Sequence, residues 1–416
     1  MKSFYRILSS FIVLVAFNTA NAESIKWLHL FGEDSSQYPN MVRAVEEFEA
    51  KTGHTVVLQY LENESFKAKL PTMLQSNDRP DIFYSWGGGV MYDQARAGFL
   101  RDVSSVVPDS YLDTVSAAAA DAFTFEGQRV GLPLQVSQVA WWYNKDLMSQ
   151  AGIDVSQIKM WDDLLDAVKQ IKAAGITPIC MGGKDKWPVH FVWTHLHIRN
   201  GGKGLFLESL NNGGWDRPEY IRSGEQMLEL VELEPFQKGW LAATWPDQAG
   251  FFGDGKCAMA FMGNWMYGAQ ASNSASGEGL ADANMGMFNM PITSGGMGDS
   301  GDTLGGINGW LFSSTASDAA VELMMHYVSL DIQKEDASNG AYIPIVKGAD
   351  GSLTNPFLQQ VAKNISNSEY HQIFYDQFLG ADIGRVVNDV STDLAAGIIS
   401  AEEATQAVQE AWEFNQ

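Results

Sequence analysis

The sequence predicts an α/β protein built as two lobes, and three observations carry that reading. Strand-like and helix-like segments alternate from the start in the order β-α-β-α-β, the signature of a mostly parallel sheet with helices on its faces. The alternation restarts after "GLPLQVSQVAWWYNKDL", residues 131–147. The length, 416 residues, exceeds what one hydrophobic core usually serves, which points to two or three domains.

Lys2 and Arg6 precede an apolar run over residues 7–17, and Ala20-Asn21-Ala22 supplies a small-x-small triplet. This pattern predicts a secretory signal peptide over residues 1–22, its apolar core too short for a membrane span. With no cysteine beside the cleavage point to carry a lipid, the mature chain is expected to be free in a periplasm. "SIKWLHLF" (24–31) reads as the first strand. Pro39 opens a helix whose Met41, Val42, Val45 and Phe48 recur at three- and four-residue steps, and Gly53 ends it. "TVVLQYL" (55–61) is the second strand, and a helix over 66–75 leads into a third strand over 81–84. In the second lobe, helices are expected over 161–174 and 219–233, and strands over 176–181 and 258–262. Glycine-rich stretches over 272–279 and 293–306 interrupt the order late in the chain.

A net charge of −23 repels nucleic acid and anionic lipid, so neither is expected as a partner. Cys180 and Cys257 both lie in strand-like stretches. They could pair in an oxidising compartment or remain two buried thiols.

In open α/β sheets, ligands meet the loops that leave the carboxyl ends of strands. Those loops hold residues 32–37 and 86–89 in the first lobe, and 182–191 and 263–268 in the second. All but the first carry a tryptophan: Trp86, Trp187 and Trp265. Ligand contact is favoured for these three over packing. Trp161, Trp240 and Trp412, in helical patterns, read as packing residues. "PDIFYSWGGG" (80–89) adds a puzzle, because a strand that simply turned would need one glycine rather than three. Gly87 and its neighbours would let something approach the backbone closely, either a ligand or, on the alternative reading, only a tight strand-to-helix turn.

Nothing in the sequence argues catalysis. Glu33 and Asp34 are adjacent acids on a loop and point apart, unlike a glycosidase pair. His195 and His197 would face different sides of a helix, which weakens a metal site with His190. There is no Gly-x-Ser-x-Gly elbow, and "GGKDK" (182–186) lacks phosphate-loop spacing. No cofactor and no metal are expected.

The acidic loop with its helix ending "EEFEAKTG", then "PDIFYSWGGG…AGFLRDV", "GLPLQVSQVAWWYNKDL", "FFGDGKCAMAFMGNW" and "GRVVNDVSTDLAAGIISAEEA" occur in an order that carries a resemblance. The chain resembles the family 1 extracellular solute-binding proteins, the periplasmic receptors of carbohydrate ABC importers that include the maltodextrin-binding proteins. The resemblance covers essentially the whole mature chain. It implies a type II two-lobed periplasmic binding protein fold whose lobes are joined by three crossings, near 135–139, 302–305 and 366–372. The N-terminal lobe would comprise 23–136 and 305–368, and the C-terminal lobe 139–303 and 370–416. It also implies ligand contacts at Glu33, Asp34, Trp86, Gly87, Lys186, Trp187, Trp265, Gly306, Asn308, Trp310 and Arg385. Where maltodextrin-binding proteins place an aromatic near Arg385, this chain has Gly384-Arg385.

The expected function is capture of a neutral disaccharide, oligosaccharide or glycoside by hinged closure, followed by delivery to an inner-membrane ABC permease. A monomer is expected. The alternatives are a receptor for a polyol, phosphodiester or polyamine on the same fold, the last favoured by a carboxylate-rich cleft, and a periplasmic carbohydrate-active enzyme.

Overall fold

The computed structural model describes residues 22–416, so the expected signal peptide lies, apart from Ala22, outside the described residues. Ser24–His29 (β1), Thr55–Tyr60 (β2) and Ile82–Ser85 (β3) pair in parallel with β1 in the middle. Tyr38–Thr52 (α1) and Asn63–Gln75 (α2) connect them, and Gly88–Arg96 (α3) follows. α1 buries Met41, Ala44, Val45 and Phe48 along one face and ends at Gly53 in the left-handed conformation, which glycine adopts without steric penalty. Glu62 caps α2 by accepting from the backbone N–H groups of Glu64 and Ser65, satisfying two of the donors that a helix start leaves free.

Gly131–Asn144 (β4) is a 14-residue strand that belongs to both lobes. Further along lie Thr177–Cys180 (β5), Cys257–Gly263 (β6), Met285–Phe288 (β7), Thr303–Phe312 (β8) and His371–Ile373 (β9). The first half of β4 pairs antiparallel with β8, and its second half with β6 and β7. The main strand order is therefore β2-β1-β3-β8-β4-β6-β5. β4 gives Leu132 and Leu134 to one hydrophobic core, and Trp141 and Trp142 to the other. β8 runs back the opposite way, with Leu304 in the second core and Trp310, Leu311 and Phe312 in the first. β9 pairs in parallel with the start of β8.

Two local expectations change. Trp187–Asn212 (α4) is helical on both sides of a kink at Gly202 (φ 61°, ψ −177°), where a loop was expected over 182–191. Pro188 favours this start, since its missing N–H would be unpaired there in any case. Pro356–Asn367 (α5), expected in the N-terminal lobe, packs Phe357, Leu358 and Val361 into the second core instead. Phe357 lies 5.6 Å from Trp142, because the apolar face of this helix meets the second half of β4 rather than the first.

Arg199 of α4 is fully buried without a carboxylate hydrogen bond. Its guanidinium donates to the backbone carbonyls of Met290 (2.9 Å), Asp299 (2.9 Å) and Asp302 (3.0 Å). It thereby holds the loop that feeds β8. Burial pushes its pKa down to about 10, so it stays charged and bound to its carbonyls at neutral pH.

Cys180 of β5 and Cys257 of β6 form a disulfide, the bonded one of the two alternatives open in the sequence. It closes a loop with a sequence separation of 77. Replacing both cysteines with serine is expected to cost about 4 kcal/mol of unfolding free energy, read as a lower denaturant midpoint in non-reducing buffer.

Burial pushes the pKa values of His29, His197 and His371 down to about 4, 3 and 4. Below their ordinary value of 6.5 the unfolded chain takes up protons that the folded one refuses, so stability is lost as pH falls from 6.5 toward 4. Asp336, pushed up to about 6 by burial, acts in the opposite sense below pH 6. These four groups together lower stability by about 3 kcal/mol between pH 6 and 5, at about 1.4 kcal/mol per group per pH unit. His197→Phe is expected to flatten that slope by about 1.4 kcal/mol per pH unit, measured by denaturation at both pH values.

Candidate functional site

β3 ends at Ser85, whose hydroxyl accepts the Gly87 N–H at 3.0 Å. Gly87 and Gly88 then take φ values of 67° and 70°, a backbone region that side chains strongly disfavour. The group that comes close to these glycines is the other lobe. A Cβ on Gly88 would stand 2.9 Å from the Gln377 carbonyl oxygen, and one on Gly89 2.7 Å from that of Phe378. This corrects the expectation that the glycines admit a sugar ring. Gly87 is buried, with the carbonyls of Ala122 and Ile307 on the side where a Cβ would project. The lobes also join where Asp93 of α3 accepts the Ala381 N–H at 3.3 Å, at the start of Ala381–Ala395 (α6).

Around this contact, aromatic and amide groups from both lobes close into a circuit. Trp86 meets Tyr84 edge-on with centroids 5.3 Å apart, and Gln135 Nε2 donates to the Tyr84 hydroxyl at 2.9 Å. Gln135 pairs across the sheet with Asn308. A Cβ on Gly306 would stand 2.6 Å from Asn308 Oδ1 and 2.7 Å from the Phe374 ring. Phe374 lies 6.0 Å from Trp265, and Trp265 lies 6.3 Å from Trp187. Lys67 Nζ closes the circuit, 5.3 Å from the Trp187 centroid and 5.4 Å from that of Trp86. Trp265 takes its position because Gly263 carries no side chain. A Cβ there would collide with the indole as it folds back over the end of β6.

Polar groups fringe the rings. Trp187 Nε1 donates to Glu64 Oε1 at 2.9 Å, across the lobes. Asp185 accepts the Trp245 N–H at 2.7 Å. Burial holds its carboxyl above the usual range, and the nearby charges of Glu64 and Glu62 push it further up. Asn308 Oδ1 is buried and has no hydrogen-bond partner among the described residues. An acceptor left so costs about 1–3 kcal/mol unless something donates to it. Such a surface can cover the C–H faces of a flat ligand and bind its hydroxyl or amine rim.

Of the residues singled out in the sequence, Trp86, Trp187, Trp265, Gly306 and Asn308 come together here. Gly87 serves the turn beneath. Lys186 and Arg385 stand outside the circuit and share Asp389, at 2.6 and 3.2 Å. Glu33 and Asp34 are exposed on the loop after β1. Trp310 is fully buried, its ring packed edge-on against Trp27 and Tyr84 at 5.0 and 5.3 Å. It has no free face for a ligand, which corrects its assignment as a contact.

Glu64, Lys67 and Phe374 are additions. The first two follow the carboxyl end of β2, where the strand-end rule applies as it does after β1 and β3. Phe374 directly follows β9.

Gly89→Ala is expected to keep a single cooperative melt while preventing the approach of 377–380. Small-angle scattering of the free protein should then give a larger radius of gyration than for wild type.

Residues 32–335 match the model of the family described as bacterial extracellular solute-binding protein. The chain is 25% identical over 206 residues to an uncharacterized ABC transporter extracellular-binding protein of Pyrococcus horikoshii, covering 49% of this chain and 46% of that one. It is 20% identical over 275 residues to the multiple sugar-binding protein of Streptococcus mutans, covering 61% and 62%. It spans about half the length of the first curated relatives it matches. A chitin oligosaccharide binding protein superposes with a TM-score of 0.85 at 24% identity, over 94% of this chain and 98% of that one. A structure from work on xylan utilization by Caldanaerobius polysaccharolyticus gives the same score and identity, over 93% and 99%. At this identity the likeness is one of fold, the two-lobed architecture described above. The matched model covers most of the chain, and the chain belongs to the bacterial extracellular solute-binding protein family.

Proposed function

We propose that the protein is the periplasmic substrate-binding component of an ABC importer, which closes its two lobes on a carbohydrate and presents it to an inner-membrane permease. The observation that carries this reading is the meeting of Trp86 with Trp187 and Trp265 from the opposite lobe, around one lysine and beside Glu64. Indole faces stack on sugar rings, and carboxylates and amides bind the hydroxyl rim. The lobes would divide at the crossings near 135–139, 302–305 and 366–372. A ligand touching both lobes would shift the population toward the closed form. The protein acts as a monomer, without catalysis and without a cofactor.

The names of two relatives point to different ligands, the first to a sugar. One is a probable sugar-binding periplasmic protein of Mesorhizobium japonicum, 28% identical over 145 residues. Another, the sn-glycerol-3-phosphate-binding periplasmic protein of Shigella flexneri, is 33% identical over 145 residues. The carboxylates of Glu64 and Asp185 speak against a phosphate ligand here, since like charge in a half-buried site is repelled. A disulfide between Cys180 and Cys257 suits an oxidising compartment. Among the described residues no helix is long and apolar enough to cross a membrane.

A thermal-shift screen over mono-, di- and trisaccharides tests the reading, since a ligand at 100 times its dissociation constant stabilises the fold by about 2.7 kcal/mol. With the sugar so identified, Trp265→Ala is expected to weaken binding about tenfold to a hundredfold, the order for an aromatic that stacks on its ligand. The melting temperature without sugar should change little. A loss of about 3–5 kcal/mol of fold stability with near-normal affinity would make Trp265 a packing residue and overturn its role in the site.

A further inference from the structure

The space between Trp86 and Trp187 is occupied by a cation of the protein itself. Lys67 Nζ lies 5.4 and 5.3 Å from the two ring centroids, within the distance at which an indole face attracts an ammonium. The rings come from different lobes, so this ammonium has two aromatic partners only where the lobes meet. Its closest opposite charge is Glu64, at 3.4 Å, and the same carboxylate oxygen accepts from Trp187 Nε1. Asp185 stands near enough to both Lys67 and Glu64 for its charge to interact with theirs. Two carboxylates therefore face one ammonium. If the lysine swung aside, two indole faces and two carboxylates would remain. That setting favours another ammonium, gives a neutral hydroxyl only stacking, and repels a carboxylate or phosphate.

We propose that the Trp86–Trp187 slot is a cation subsite, that Lys67 stands in it as an internal occupant, and that the ligand carries a primary ammonium which takes the lysine's place. The inference rests on the cleft being the ligand site. It narrows the ligand from the neutral sugar expected from sequence to an amine-bearing one. The ammonium can belong to an amino sugar or to an alkyl diamine.

Tryptophan fluorescence titrations of wild type and Lys67→Ala separate these possibilities. The ligands are glucosamine oligosaccharides, their N-acetylated and all-hydroxyl counterparts of equal length, and linear diamines. The amino sugar is expected to bind about tenfold more tightly than either neutral counterpart, and more tightly still to Lys67→Ala, where no lysine competes. Equal or tighter binding of the neutral sugars overturns the cation subsite and leaves the sugar reading standing. Tight diamine binding with no sugar binding supports the subsite and overturns the sugar reading. Should none of these bind, methylammonium chloride added to Lys67→Ala decides. Saturable quenching that potassium chloride at equal ionic strength does not produce supports the subsite, and its absence overturns it. Lys67→Met, which keeps the aliphatic stem, replaces the alanine variant if that one lacks a cooperative melt.

Discussion

Two antiparallel strands, β4 and β8, run through both lobes, and the rest of the structure depends on their pairing. Each changes cores partway along its length. Leu132 and Leu134 of β4 serve the first core and Trp141 and Trp142 the second, while β8 makes the same passage in reverse. The backbone hydrogen bonds continue across the change from Gly305–Gln138 to Leu311–Gly131, with one irregularity at Asn308/Gly309. A ladder with an irregularity can bend and twist there without losing its pairing. The same irregularity lies beside Asn308, whose buried side-chain oxygen belongs to the aromatic circuit. Arg199 fixes the approach to β8 by binding backbone carbonyls only, so its hold on that loop does not depend on the charge state of an acid partner.

Lobe contact and the candidate binding surface are made by neighbouring residues of one turn. Gly88 and Gly89 bring their backbone against 377–380, and Trp86, just before them, turns its ring to the cleft. Any movement of the lobes at this contact must therefore move Trp86 relative to Trp187 and Phe374. The charges at the rim are unbalanced. Acidic groups outnumber the one lysine, and that lysine is held by aromatic faces as well as by Glu64. An acidic chain of net charge −23 thus keeps a cation where its two lobes face each other.

Much of the architecture is legible along the chain because it rests on local rules. The alternation of period-two and period-3.6 segments places β1 to β3 and their helices within a few residues of where they lie. Gly53 and Pro39 punctuate α1 as their backbone preferences require. The strand-end rule marked Trp86, Trp187 and Trp265, because it concerns where loops fall rather than what they touch. The same rule applied after β2 points to Glu64 and Lys67. They carry no aromatic marker, and a lysine followed by helical spacing reads as a solvated face.

Other features depend on partners far away in sequence. Trp310 and Trp265 both belong to tryptophan-bearing strand segments. One is sealed by Trp27 and Tyr84, and the other opens beside Phe374, a distinction set by residues more than a hundred positions distant. The three glycines announce a close approach but not its object, since nothing near residue 88 in sequence encodes the carbonyls of 377 and 378. The union of Cys180 with Cys257 follows from β5 and β6 lying side by side. By itself, then, the sequence determined the elements, the two-lobed class and the aromatic strand ends, which follow from periodicity and backbone preference. Only the tertiary structure decided which rings face the cleft, what the glycines admit and where Lys67 rests, because burial and charge proximity are properties of space rather than of sequence.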